Sequence, residues 1–232
     1  MESPGHSSSA RSVGLLTFGI IIVIGLYGLV NNFQALVLNS VVDFYNLKGG
    51  AQGIMPGLIN IGAVAAFFTA PLLQGRIKKT SLLLLGAGII VCSFSLLGAG
   101  RALATLVASS LFMGVGFGWL DANCNAVMVD LHHNDSAKYL GFLHGAFGVG
   151  ALIAPILITA LLSLIDWHSL SFLLGAIIAF AAIVFFVLLT SAKKGVPAPL
   201  PEPKLTFAGV KSFLFHRRSE ERRVGKECRS RW

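Results

Sequence analysis

Residues 103–129 read LATLVASSLFMGVGFGWLDANCNAVMV, a run that is apolar or small almost throughout and carries one charged side chain, Asp121. A bilayer hydrocarbon core about 30 Å thick takes roughly 20 residues of helix, so this stretch is long enough to cross. It shows no period of two and is far longer than a barrel strand, which excludes a β-barrel reading. Gly114, Gly118, Asp121 and Asn125 recur at spacings of four, three and four, on one face of a helix. Two glycines there let a neighbouring backbone approach, and a carboxylate and an amide follow on the same stripe.

Working outward, five further stretches have the same character: Val13–Leu38, Gln52–Leu73, Ser81–Ala99, Leu140–Ile165 and Leu170–Leu189. Short polar connectors separate them, at 39–50, 74–80, 100–101, 130–139 and 166–169. The expected fold class is therefore an all-α integral membrane protein with six transmembrane helices. Composition agrees. Charged residues make up 12% of the chain, against about 25% in soluble domains, and the mean hydropathy is +0.78. A disordered chain, a coiled coil and an ordinary water-soluble enzyme are excluded. The 26 glycines are spread through the apolar stretches, as in closely packed membrane helices. Three cysteines, at 92, 124 and 228, make no disulfide framework.

The first stretch follows a short polar head containing Arg11, the arrangement of a secretory signal. Its apolar run is about 26 residues, beyond the 7–15 of a signal core, and no small-x-small cleavage site follows. It is read as a span. Lysine and arginine set orientation. With the N-terminus inside, the inner segments hold Arg11, Arg76, Lys78, Lys79, Lys138, Lys193 and Lys194, whereas the outer loops hold only Lys48 and Arg101. Both termini are expected in the cytoplasm, and short loops suit a bacterial inner membrane.

The chain divides into an N-terminal segment (residues 1–12), a six-helix domain (13–190), a proline-rich linker with Lys193 and Lys194 (191–217) and a tail (218–232). The tail, RSEERRVGKECRSRW, resembles the translation of a sequencing-library adapter beginning AGATCGGAAGAGC, and fold reasoning excludes it. Without its six basic and three acidic residues the net charge falls from +8 to +5. The basic balance then points to the inner lipid surface, not to nucleic acid. The natural chain is expected to continue past Arg217.

Each polar side chain inside a span needs a reason. Asp121 lies too deep to reach the interface, so it is read as a proton-carrying or substrate-binding carboxylate facing a wet cavity. The alternative is a hydrogen-bonded packing residue. Asn31, Asn32 and Gln34 either cap the first span or line a cavity that binds hydroxyls. Asn60 is the better cavity candidate of the second span, with Gln52 the weaker. Asn123 is expected to point to another helix. In the fifth span Gly141, Gly148, Ala151 and Pro155 form a small-residue stripe suited to tight crossing, with Gly150 beside it, and His144 is a packing residue or proton relay. His132 and His133, with Asp130 and Asp135, are read as a solvated loop and not a metal site. There is no P-loop and no His-Glu-x-x-His, and no second intramembrane acid accompanies Asp121. Neither enzyme chemistry nor a cofactor is called for.

Six spans with both ends inside, a basic turn after the second span and a proline-rich linker resemble the N-terminal half of a major facilitator superfamily transporter. The resemblance covers residues 13–217. It implies two three-helix inverted repeats and a missing C-terminal six-helix half. That superfamily's motif between spans two and three is Gly-x-x-x-Asp-Arg-x-Gly-Arg-Arg/Lys. Here Ala70–Lys79 reads APLLQGRIKK, with Gln74 in place of the acid, while Arg76, Lys78 and Lys79 keep the basic end. The usual inner charge latch is thereby altered. The string from Gly116 to Asn125, GFGWLDANCN, is similar to the fourth span of fucose permease-like sugar/proton symporters, which implies a protonatable role for Asp121. Those symporters carry an acid in the first span as well, where this chain has Asn31 and Asn32. The Gly148-x-Gly150-x-x-x-Ala154-Pro155 string is similar to the fifth-span motif of drug/proton antiporters. The expectation is a proton-coupled secondary transporter for a sugar or similar small polar solute. Asp121 would carry the proton, while Asn31, Asn32, Asn60, Asn125 and His144 would offer groups to the substrate. An efflux antiporter and a non-transporting six-helix scaffold are the rivals.

Overall fold

A computed structural model describes residues 4–192. The tail 218–232, nearly all of the linker 191–217 and the first three residues of the N-terminal segment lie outside the described residues. The elements are α1 (Pro4–Asn31), α2 (Phe33–Phe44), a 3-10 turn (Gly49–Gly53), α3 (Ile54–Gln74), α4 (Lys79–Ala99), α5 (Leu103–Leu131), α6 (Ser136–Leu162) and α7 (Trp167–Ser191). No strand occurs among the described residues. Six of the resulting segments are long and apolar enough to cross a membrane, with α1 and α2 forming one span over Arg11–Phe44. Helix is the form that satisfies every backbone N–H and C=O within its own segment, as hydrocarbon demands.

Helix ends depart from the expected ones because hydropathy marks the hydrocarbon slab, while helices run on into the interface. The first helix begins at Pro4, inside the expected N-terminal segment, and the span it opens ends at Phe44, inside the expected connector 39–50. That span is also interrupted. Asn32 stands between α1 and α2 with φ −80° and ψ −13°, and its Nδ2 donates to Gly28 O at 2.8 Å. The α7 end is set by chemistry: Asp166 accepts from His168 N at 2.8 Å and Ser169 N at 3.0 Å. Those backbone donors and the Ser169 hydroxyl hold the Asp166 carboxyl at about 2, below the usual carboxylate range. The carboxylate therefore caps the helix throughout the physiological range.

The helices pack as two crossed pairs plus two supports. α3 lies against α5, α1 lies against α6, α4 wedges onto α5, and α7 joins α4 to α1. Counted as spans, the second crosses the fourth and the fifth crosses the first. An exchange of spans one to three with spans four to six relates these two contacts, the pattern that inverted repeats require.

Glycine makes both crossings. A Cβ on Gly114 would collide with Ile59 O, and one on Gly62 with Leu111 O, so the α3 and α5 backbones touch directly. A Cβ on Gly118 would meet Ala66 Cβ at 2.5 Å from the same side. In the other pair, Gly28 faces Phe147 O and Gly150 faces Gly25 O. Gly148 and Pro155, which the sequence reading puts in a stripe that meets another helix, do not join this α1–α6 crossing. A Cβ on Gly141 or Gly148 would have nothing within 4 Å, and Pro155 is exposed. Residues two apart on a helix point about 200° apart, so Gly148 faces away from α1 when Gly150 faces toward it.

At the lysine-rich end of the bundle the ties are polar. Lys79 Nζ at the start of α4 reaches both carboxylate oxygens of Asp130 on α5 at 2.9 Å, with side chains only 12% and 11% exposed. Gln74 Nε2 donates to Asn123 Oδ1 at 3.0 Å, so Asn123 does point to another helix. Trp119 Nε1 donates to Thr69 Oγ1 at 2.9 Å.

Both kinds of contact can be tested by substitution. Gly150→Val in the full-length protein should lower the unfolding temperature in detergent by an amount equivalent to about 2 kcal/mol, while Gly88→Ala, at a position with open space, should leave it unchanged or slightly raised. Asp130→Asn should cost about 3 kcal/mol, and a double-mutant cycle with Lys79→Met should recover a coupling energy of the same sign; additive effects would dissolve the pair.

Candidate functional site

Asp121 lies one helical turn from Phe117, whose ring is 5.2 Å from that of Tyr27 on α1. The Tyr27 ring also sits 5.2 Å from Phe147 on α6, so it fills the wedge between α5 and α6. On α6, His144 lies one turn before Phe147, which brings it to the level of Asp121. Gly114 and Gly118 bind the neighbouring face of α5 to α3. The carboxylate therefore comes up at the seam between the α3/α5 pair and the α1/α6 pair, half-buried and not enclosed.

Asn125 is one turn further on. Its Nδ2 donates to Asp121 O at 2.8 Å and to Asp121 Oδ1 at 3.2 Å. The amide thus steadies the carboxylate, and its Oδ1 end remains to accept. His144 is exposed on α6. A carboxylate, an imidazole and a phenol at one depth, drawn from three helices, form a set that can hold a proton and pass it between ionisable partners.

The remaining candidate residues stand elsewhere. Gly114 abuts Ile59, which puts its neighbour Asn60 at the Gly114 level, seven residues along α5 from Asp121, or about 10 Å. Asn60 is exposed on α3. Asn31 and Asn32 lie past Tyr27 in the same direction, and the Asn32 amide donor is taken by Gly28 O. The candidates fall on two levels: Asp121, Asn125 and His144 on one, Asn31, Asn32 and Asn60 on another nearer the Tyr45 end. Arg76 and Lys78 are exposed in the α3–α4 turn, whereas Gln74 and Lys79 are drawn into the contacts with α5.

His132 is more ordered than a solvated loop residue. Its Nε2 lies 2.7 Å from Thr17 Oγ1 on α1, and its ring stacks on Tyr139 of α6 at 3.4 Å. Thr17 spends its hydroxyl proton on Val13 O at 2.8 Å, so the imidazole must be the donor in that bond. Burial pushes the His132 imidazole below its ordinary value, and Asp135 opposes that. Among the described residues, no three His, Cys, Asp or Glu side chains are grouped as a metal site requires.

Sequence reasoning missed Tyr27, which carries the aromatic junction, and the pairing of Lys79 with Asp130. The only signal for Tyr27 was a phenol in the middle of an otherwise apolar run. For Lys79 there was none, because its partner is 51 residues away.

Known proteins share both the sequence pattern and the fold. The Major Facilitator Superfamily matches over residues 12–220. The rat protein named sodium-dependent glucose transporter 1 is 32% identical over 109 residues, which are 47% of this chain and 21% of that protein. In structure, a POT family transporter in complex with a thioalcohol-conjugated peptide superposes with a TM-score of 0.60 at 20% identity, over 92% of this chain and 45% of that one. A peptide transporter POT gives 0.62 at 17% identity, over 91% and 45%. At such identities the two structures speak for the fold alone, and the chain spans less than half the length of these proteins. The six-helix bundle with its crossed pairs is half of the transporter fold, and the family is one of multi-pass membrane transporters, not enzymes. The chain belongs to the Major Facilitator Superfamily.

Proposed function

We propose that this chain is the N-terminal half of a secondary active transporter that couples a proton to the uptake of a sugar or similar small polar solute. The observation that carries the reading is the position of Asp121. A carboxylate at the seam between two helix pairs, one turn from the Tyr27–Phe117 contact and with Asn125 bonded to it, is expensive in a membrane span unless it is used. A sugar is favoured by the likeness to a rat protein named as a glucose transporter, and by the amides of Asn31, Asn60 and Asn125, which suit hydroxyl groups.

The lysine-rich end of the bundle, with Arg76, Lys78 and Lys138, faces the cytoplasm under the positive-inside rule, and both termini with it. A second six-helix half, continuous with residues 191–217, closes the other side of the cavity. Alternating access is then a rocking of the two halves about the seam. Within this half, Lys79–Asp130 and Gln74–Asn123 keep α3, α4 and α5 moving as a body. Asp121 takes a proton when the seam opens outward and releases it inward, with His144 as the neighbouring acceptor.

Asp121→Asn in the full-length protein should abolish accumulation of the solute driven by an inward proton gradient, while exchange of labelled for unlabelled solute continues. Equal gradient-driven accumulation by mutant and parent would remove Asp121 from coupling. Efflux, not uptake, stimulated by an inward proton gradient would transfer the assignment to an antiporter.

A further inference from the structure

Tyrosines stand at 27, 45 and 139, and two of them sit at helix ends, Tyr45 just past α2 and Tyr139 in the first turns of α6. That is the usual place for tyrosine in a bilayer, with the ring at headgroup level and the hydroxyl in water. Tyr27 stands instead at the middle of the first span, sixteen residues after Arg11 and seventeen before Phe44. Tyr45 donates to Gly100 O at 3.2 Å, whereas the Tyr27 hydroxyl has no hydrogen-bond partner among the described residues. Nor is it sealed off. The Tyr27 side chain is half-buried, and the enclosed polar atoms without partners belong to Gln34, Ser110 and His168. A phenol held in mid-span, unbonded and accessible, is a group kept for a ligand.

The Tyr27 ring is fixed by the α1–α6 crossing. Gly28, the next residue, presses α1 onto the backbone of α6 so closely that a Cβ would overlap the Phe147 carbonyl. The ring then rests 5.2 Å from Phe147 and 5.2 Å from Phe117 of α5, tilted by 49° and 51°. The three rings differ in what they offer. Phe117 is 2% exposed and forms the floor, while Tyr27 and Phe147 are half-buried and keep ring surface free. Rings seated on a backbone contact that cannot slide are ordered before any ligand arrives.

The polar groups beside the rings limit what can lie there. Asp121 is one turn beyond Phe117, His144 one turn before Phe147, and Asn125 keeps its amide oxygen while its Nδ2 is spent on Asp121. Among the described residues no lysine or arginine lies in the middle of a span, so a carboxylate solute finds no fixed positive charge. Hydroxyl groups find both donors and acceptors. The face of an aromatic ring is electron-rich and takes polarised C–H groups. A pyranose presents both features, hydroxyls around its edge and an apolar face of C–H groups. A linear polyol has the hydroxyls without the face.

We infer that Tyr27 and Phe147 form the platform on which the apolar face of a pyranose lies, with the Tyr27 hydroxyl bonded to one of the sugar's hydroxyls. The inference rests on the reading of the solute as a sugar and makes these two residues determinants of its specificity. Equilibrium binding of labelled glucose, galactose, mannose and fucose to the full-length protein purified in detergent is the test, pursued with the sugar that the parent binds most tightly. Tyr27→Phe keeps the ring, removes only the hydroxyl and should weaken binding about ten-fold. Phe147→Leu should weaken it by about the same factor, and Phe147→Tyr, which restores a ring, should recover most of that loss. Phe142→Leu, at an exposed position elsewhere on α6, should bind as the parent does. Sorbitol, an open-chain polyol, should compete about ten-fold less well than the pyranose on the parent, with a smaller gap on Phe147→Leu. Pyranose binding that either Tyr27→Phe or Phe147→Leu leaves unchanged overturns the platform while the sugar reading stands. Binding of none of the four sugars by the parent overturns the platform and the sugar reading together.

Discussion

The rest of this structure depends on backbone meeting backbone at two helix crossings. Lipid tails are as apolar as leucine, so helices in a bilayer gain little by burying hydrophobic surface and must gain by close packing. Gly62 and Gly114 bring α3 and α5 together until carbonyls touch Cα atoms, and Gly28 and Gly150 do the same for α1 and α6. A Cβ at any of these positions would overlap a backbone atom that cannot swing aside. The two contacts are equivalent under exchange of the three-helix repeats, so one packing solution is used twice in opposite orientation.

The location of the chemistry follows from those crossings. Because Gly114 and Gly118 press one face of α5 onto α3, the adjoining face, with Phe117, meets Tyr27 of α1. Asp121 lies between these two faces, half-buried at the seam between the pairs. α6 touches its own half chiefly through α1. Its other side, with Gly141, Gly145, Gly148 and Pro155, is open in the described residues. By contrast α3, α4 and α5 are bound at the lysine-rich end by buried polar pairs. The altered superfamily motif fits this arrangement. With Gln74 where an acid would stand, the motif's end lysine, Lys79, finds its carboxylate on α5 at Asp130, and Gln74 settles for the amide of Asn123.

Much of the fold was legible in the sequence. Six apolar runs of bilayer length, the distribution of lysine and arginine, and the Gly114–Gly118–Asp121–Asn125 stripe all concern residues near one another in the chain. Hydropathy and helical period are local properties, and they predict helix existence and facing well. Helix ends read less well, since the helices run past the apolar windows, to Phe44 and from Ser136, into polar sequence where hydropathy no longer tells helix from loop. The interruption at Asn32 was hidden, because Asn31 and Asn32 read equally as caps or as a cavity lining. Gly150 meets α1 while Gly148, two residues earlier, faces away from it, since glycine shows where approach is permitted and not which neighbour uses it.

By itself, then, the sequence determined a six-span membrane bundle of the major facilitator type, its polar residues and its one deep carboxylate. Those are consequences of transfer free energy and helical period, both written residue by residue. Only the tertiary structure decided which polar residues share a level. It put Tyr27 against Phe117, one turn from Asp121, moved Asn31, Asn32 and Asn60 to a second level, and paired Lys79 with Asp130. Each of these depends on the vertical offset between helices, which is set where glycines let backbones interlock, and a contact between residues tens of positions apart leaves no trace in either local pattern.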